Sequence, residues 1–190
     1  RLRNVPVYLD SPMATSATAL LHRHADDHKL AQHDFETAFS EVTYVRDVEE
    51  SKALSANRYP KVIISASGMA TGGRVLHHIE AFGGSHQNTL RFSGFQAAGT
   101  RGRKLLEGAR EVKIHGRWMP ITAEVAELAM LSAHADSDEL MRWLRSFTKA
   151  PERVFIVHGE SDASEALRER IQRELNWHAS VSMQNQEFAL

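Results

Sequence analysis

The chain has 190 residues, 42% of them hydrophobic and 25% charged, enough to fold as one domain of good size or parts of two. A formal net charge of −1 excludes polyanion binding through bulk charge, and the absence of cysteine excludes disulfides and thiolate metal sites. No apolar run reaches the roughly 18 residues of a membrane span and no secretory leader is visible, so a cytoplasmic protein with no membrane partner is expected.

Val5 to Leu9 reads as a short strand ending at Asp10. Ser11 can cap the helix that follows, with Pro12 at its first position and Met13, Ala17, Leu20 and Leu21 as an apolar stripe. Phe35 to Val45 has no clear period, whereas Asp47 and Glu50 stand three apart as in a capping box and predict a helix through about Ala56. Lys61 to Ser65 is a compact strand, followed by a Ser/Gly-rich turn and a helix carrying Val75, Leu76, Ile79 and Phe82. Thr89 to Phe92 is the next strand, again with a Gly-rich turn and a helix, here containing Leu105 and Leu106. Strand, glycine turn and helix therefore recur, which predicts a parallel α/β sheet with ligands at the strand ends.

After Gly108 the pattern changes. Val112 to Ile114 and Ile121 to Val125 alternate like antiparallel strands. A helix with Leu140, Leu144 and Phe147 follows, then a buried strand from Val154 to Val157, then a helix marked by Ala163, Leu167, Ile171 and Leu175. Ala179, Val181 and Met183 alternate as a last strand. The pattern change divides the chain into residues 1–110 and 111–190.

Two loops carry residues suited to phosphate. Ser65 through Arg74, with Ser67, Gly68 and Thr71, lets the backbone approach a ligand, offers helix N–H groups and adds the charge of Arg74; a tight structural turn explains it equally well. Ser93 through Arg103 repeats the arrangement with Thr100, Arg101 and Arg103, and no Gly-Lys-Ser/Thr follows to make it a Walker loop. Two such loops at successive strand ends suit an extended polyanion better than a mononucleotide. From Arg101 to Arg117 six basic residues stand against Glu107 and Glu111, a local +4, which suits a groove; a solvated helix face is the alternative.

Leu131-Ser-Ala-His134-Ala-Asp136 and Val154-Phe-Ile-Val-His158-Gly each place a histidine where a strand-like run gives way to a turn. Imidazole can ligate zinc or hand a proton to a leaving oxygen, and it can also be a hydrogen-bonded structural residue. Asp136 can orient an imidazole or cap the next helix. His22-Arg-His24-Ala-Asp26-Asp27-His28 imitates a metal motif with one residue too many. On a helix His22 and His24 point roughly 200° apart and cannot chelate together, although His24 and His28 share a face.

These segments, with Tyr8-Leu-Asp-Ser-Pro-Met-Ala14, Val112-Lys-Ile-His115 and Val157-His-Gly-Glu160, occur in one order along most of the chain. Together they resemble the β-CASP branch of the metallo-β-lactamase superfamily, which includes the endonuclease subunit of the cleavage and polyadenylation machinery and its bacterial and archaeal relatives. The resemblance implies a Rossmann-like β-CASP domain over residues 1–110, lacking its start, and the C-terminal part of an αββα metallo-β-lactamase domain over 111–190. It implies a ribonuclease that hydrolyses phosphodiesters of single-stranded RNA with two zinc ions. His134 matches the histidine expected to contact the scissile phosphate and assist the leaving group, with Asp136 in support, and His158 matches a zinc ligand. Ser67, Gly68, Arg74, Thr100, Arg101 and Arg103 match loops that line the RNA cleft.

The family's His-x-His-x-Asp-His run and most other zinc ligands normally precede the segment seen here, and the chain starts at Arg1. A C-terminal fragment is therefore expected, inactive alone and holding no zinc of its own, because zinc needs about four ligands. Absent partner strands would leave a sheet edge that a homodimer or strand exchange covers. A non-catalytic RNA-binding or scaffold subunit is the alternative, and a mononucleotide-binding α/β domain, resting on the glycine loops alone, is a third.

Overall fold

In a computed structural model of the protein, residues 5–27, 32–128 and 134–188 are described, apart from the side chains of Gln32 and Phe35. His28, and Leu131, Ser132 and Ala133 of the His134 motif, lie outside the described residues. The chain divides into two compact units, Arg1–Leu131 and Ser132–Leu190.

The first unit begins with β1 (Val7–Asp10) and α1 (Pro12–Arg23). Ser11 caps α1 by accepting a bond from the Ala14 amide at 3.2 Å, and Pro12 occupies the first turn, where its missing N–H costs nothing. The apolar stripe of α1 is not buried: Met13 is 72% and Leu20 53% exposed. The helix ends at Arg23, and His24 is its cap.

The unclear stretch resolves into α2 (Gln32–Ser40) and β2 (Val42–Tyr44). A three-residue strand is too short to show a period. Then come α3 (Val48–Ala56), β3 (Val62–Ser65) and α4 (Arg74–Phe82). Asp47 caps α3 through the Glu50 amide at 2.9 Å; the return bond of Glu50 goes to the Arg46 amide rather than to Asp47. The sheet has the order β2-β1-β3 and is parallel throughout, as the recurrent strand–turn–helix pattern predicts.

β4 (Thr89–Ser93) and α5 (Arg101–Leu106) precede β5 (Glu111–Ile114), β6 (Arg117–Pro120) and β7 (Glu124–Leu128). The antiparallel expectation is met by β5 and β6, but not by the segment from Ile121. The partner of β5 starts at Arg117, because His115 (φ 45°) and Gly116 (φ 82°) close a two-residue turn. Ile121 and Ala123 are buried ahead of β7, and β7 pairs parallel with β4. Amides of Thr122 and Ala123 both donate to the Gly83 carbonyl and so aim the chain along β4. Ala70, Leu76, Ile79, Phe92, Leu105, Val112, Ile114 and Ile121 form one buried cluster. The change of pattern near residue 110 thus lies inside a compact unit.

The second unit contains α6 (Ser137–Arg145), β8 (Val154–Ile156), α7 (Ser161–Leu175) and β9 (Ala179–Val181), with β8 and β9 parallel. Met141, Leu144, Ile156, Ile171 and Ala179 form its core. Arg170 of α7 reaches the Asp138 carboxylate of α6 at 2.7 Å, and Arg145 pairs with Glu174.

Candidate nucleic-acid interface and catalytic residues

The β1 terminus places Asp10 in the interior, fully buried. Its carboxylate accepts bonds from Ser51 Oγ at 2.5 Å, Arg74 Nη1 at 2.6 Å and His78 Nε2 at 2.7 Å, and the other ring nitrogen of His78 meets Ser55 Oγ at 3.0 Å. Burial by itself would raise the Asp10 carboxyl; the bonds from Ser51, Arg74 and His78, with the charge of His78, outweigh it and hold the group below the usual aspartate range. The charge of Arg74, expected at the RNA cleft, is therefore paired inside the unit and its side chain is only 18% exposed.

The first glycine loop folds tightly onto itself. Gly73 caps α4 at φ 77°, and a Cβ there would stand 3.1 Å from the Ala66 carbonyl oxygen, so only glycine fits without strain. Ser67 Oγ lies 2.9 Å from Thr71 Oγ1, and Gly68 is exposed with open space beside it. In the second loop Thr100 caps α5, accepting from the Arg103 amide at 3.2 Å and donating to the Ala97 carbonyl at 2.7 Å. Arg103 is paired with Glu107 at 2.6 Å on the same helix face. The guanidinium of Arg101 donates to the carbonyls of Ala70 at 3.1 Å, Thr71 at 3.3 Å and Lys113 at 2.6 Å. Arg101 thus ties the first loop, α5 and β5 together, a cross-link that no sequence spacing reveals.

Where these parts meet lies an open pocket of about 460 Å³, lined by Thr71, Gly99, Thr100, Arg101, Lys104, Glu111, Val112, Lys113 and Trp118. Three cations face one acid. Trp118 is 62% exposed and sits directly across the hairpin from Lys113. An exposed indole beside ammonium groups can stack a base while the lysines meet phosphate. Of the loop residues singled out by sequence, Thr71, Thr100 and Arg101 line this pocket, while Ser67, Gly68, Arg74 and Arg103 do not. The basic strip points to Lys104 and Lys113, whereas Trp118, as a lone tryptophan, carries no spacing signal.

In the second unit, His134 is exposed and stands three residues before α6. Asp136 closes a full capping box with Glu139: its Oδ1 accepts the Glu139 amide at 2.8 Å, and Glu139 Oε2 accepts the Asp136 amide at 3.0 Å. Of the two readings of Asp136, capping is the one its bonds express. His158 is exposed, at φ 67°, in the turn between β8 and α7. A Cβ on the adjacent Gly159 would stand 2.2 Å from Ser164 Oγ, so close packing on α7 fixes this turn.

Among the described residues, neither His134 nor His158 joins a group of three ligand side chains. One imidazole cannot constitute a zinc site, which takes three protein ligands even when open. The donors described around His158 therefore do not by themselves fit a dinuclear zinc centre, and no reaction step is routed through one.

Residues 1–105 match the Beta-Casp domain model, and residues 118–182 match the model of the Zn-dependent metallo-hydrolase RNA specificity domain. The chain is 37% identical over 175 residues to Ribonuclease TTHA0252 of Thermus thermophilus, covering 88% of this chain and 39% of that protein. It is 33% identical over 183 residues to Transcription termination factor FttA of Methanosarcina mazei, covering 90% and 29% respectively. An RNase J-like protein of Methanocaldococcus jannaschii is 31% identical over 160 residues, covering 84% and 37%. The chain thus spans well under half the length of these relatives. With its first 105 residues matching that model over a parallel α/β sheet, the chain belongs to the β-CASP family of the metallo-β-lactamase superfamily.

Proposed function

We propose that this chain is the RNA-gripping portion, together with part of the catalytic site, of a zinc-dependent ribonuclease that hydrolyses phosphodiester bonds of single-stranded RNA. The pocket between the glycine loops and the β5–β6 hairpin carries the reading: Lys104, Lys113 and the exposed Trp118 offer phosphate and base contacts in one place. The match of residues 118–182 to an RNA specificity domain, and the likeness to a ribonuclease, support the same substrate. In this reading His134 contacts the scissile phosphate and assists the leaving oxygen, and Asp136 supports it by fixing the start of α6. His158 contributes one ligand to zinc, and the remaining ligands come from sequence outside this chain. The chain by itself grips RNA without cleaving it.

The test is titration of the chain with a short single-stranded RNA at several salt concentrations. Trp118→Ala is expected to weaken binding by roughly five-fold or more, from about 1–3 kcal/mol per stacked base. Lys104→Ala and Lys113→Ala are each expected to reduce the salt slope by about 0.7. Unchanged affinity and slope in all three variants would remove the pocket from RNA recognition. In the longer parent protein, His134→Ala is expected to abolish cleavage while folding survives.

A further inference from the structure

His77 and Glu80 lie three apart on α4, on one helix face, and the tip of the β5–β6 hairpin brings His115 against them. Glu80 Oε2 stands 3.0 Å from His115 Nδ1 and 3.7 Å from His77 Nδ1, and the two rings are stacked with centroids 4.7 Å apart. The other carboxylate oxygen, Oε1, lies 3.4 Å from Arg117 Nη2. Arg117 therefore holds the carboxylate by one oxygen and leaves the second facing both imidazoles. Potential ligand atoms of the three residues all lie within 4.8 Å of one another.

We propose that His77, Glu80 and His115 form a binding site for a divalent cation of zinc's class, which staples the β5–β6 hairpin to α4. Bonds of about 2.0–2.1 Å to zinc in tetrahedral geometry set ligand atoms about 3.4 Å apart. The separations of 3.0 and 3.7 Å at Glu80 Oε2 bracket that edge. Two imidazoles and one carboxylate are a sufficient protein donor set for zinc, with water in the fourth position. Glu80 is the fixed member, its side chain 17% exposed, whereas His77 and His115 are 61% and 43% exposed and can adjust to an entering ion.

The backbone at His115 points the same way. Its φ of 45° belongs to the left-handed region that a two-residue hairpin turn requires, where glycine, asparagine, aspartate and histidine are the commonest residues. The turn fixes the direction in which His115 leaves the hairpin, and its ring meets Glu80 at 3.0 Å. The hairpin that His115 closes also carries Lys113 and Trp118, so an ion here would fix one wall of the pocket described above.

Calorimetric titration of the intact chain with zinc chloride tests the proposal, with cobalt(II) absorption reporting tetrahedral His/carboxylate coordination. Wild type is expected to bind one ion with a raised thermal midpoint. His77→Ala, Glu80→Gln and His115→Asn are each expected to lower affinity at least ten-fold, while His158→Ala and His24→Ala retain it. His115→Asn keeps the turn's backbone preference, and unchanged apo circular dichroism separates ligand loss from misfolding. No saturable binding by wild type, wild-type affinity in His115→Asn and Glu80→Gln, or loss of binding in His158→Ala or His24→Ala would each overturn the site.

Discussion

Arg74 Nη1 lies 2.6 Å from the carboxylate of Asp10, joining the first residue of α4 to the last of β1 across 64 positions of sequence. Asp10 has no solvent exposure, so this pair, with His78 and Ser51, anchors the glycine loop rather than presenting charge outward. The loop's shape depends on it.

Removing the carboxylate leaves Arg74 and the buried His78 without their shared partner. Asp10→Ala is expected to destabilise the chain by about 3–5 kcal/mol in urea unfolding, as loss of one member of a buried pair does. Asp10→Asn, which keeps size and some hydrogen bonding, is expected to cost less.

The same carboxylate predicts acid sensitivity. Its folded pKa lies below the unfolded value because bonds from Ser51, Arg74 and His78 outweigh the cost of burial. Its contribution is therefore complete above the ordinary aspartate value and is lost as pH falls through the lower folded one. Stability of wild type measured at stepped pH below about 4 is expected to fall more steeply than that of Asp10→Asn. Parallel curves would contradict the assignment.

Gly102 has no room for a side chain. A Cβ there would meet Gln96 Oε1 at 1.8 Å, Gln96 Cδ at 2.9 Å and Phe92 Cε1 at 3.2 Å, and Gln96 is itself buried. Gly102→Ala is expected to cost about 1–3 kcal/mol by overpacking. Because the Gly102 amide also donates to the Met69 carbonyl, the strain reaches the first loop and RNA affinity is expected to fall with stability. Adding Gln96→Ala removes the obstructing amide and is expected to restore part of the loss.

Asp136 caps α6 two residues after His134. Asp136→Ala is expected to cost about 1 kcal/mol, while Asp136→Asn, an equally good cap, is nearly neutral. If Asp136 supports His134 only through the helix start, RNA cleavage by the parent protein survives in the asparagine variant. A cleavage defect there with unchanged melting would give the carboxylate a direct part.

The sequence by itself determined the local and periodic features. The parallel β2-β1-β3 sheet was legible because strand, glycine turn and helix recur, and the caps at Ser11 and Asp47 because small polar side chains reach only the nearest amides. The ordered motifs carried the family. Tertiary structure alone decided how side chains of similar chemistry are used. Arg74 and Arg101 stood in the sequence as charges suited to phosphate; long-range contacts turn the one to Asp10 and the other to three carbonyls. The pocket is instead lined by Lys104, Lys113 and Trp118 beside Arg101, and Glu80 comes to lie between His77 and His115 because a two-residue turn sets the hairpin's register. Periodicity fixes which face a residue occupies; only the packing of distant elements fixes which partner its charge meets.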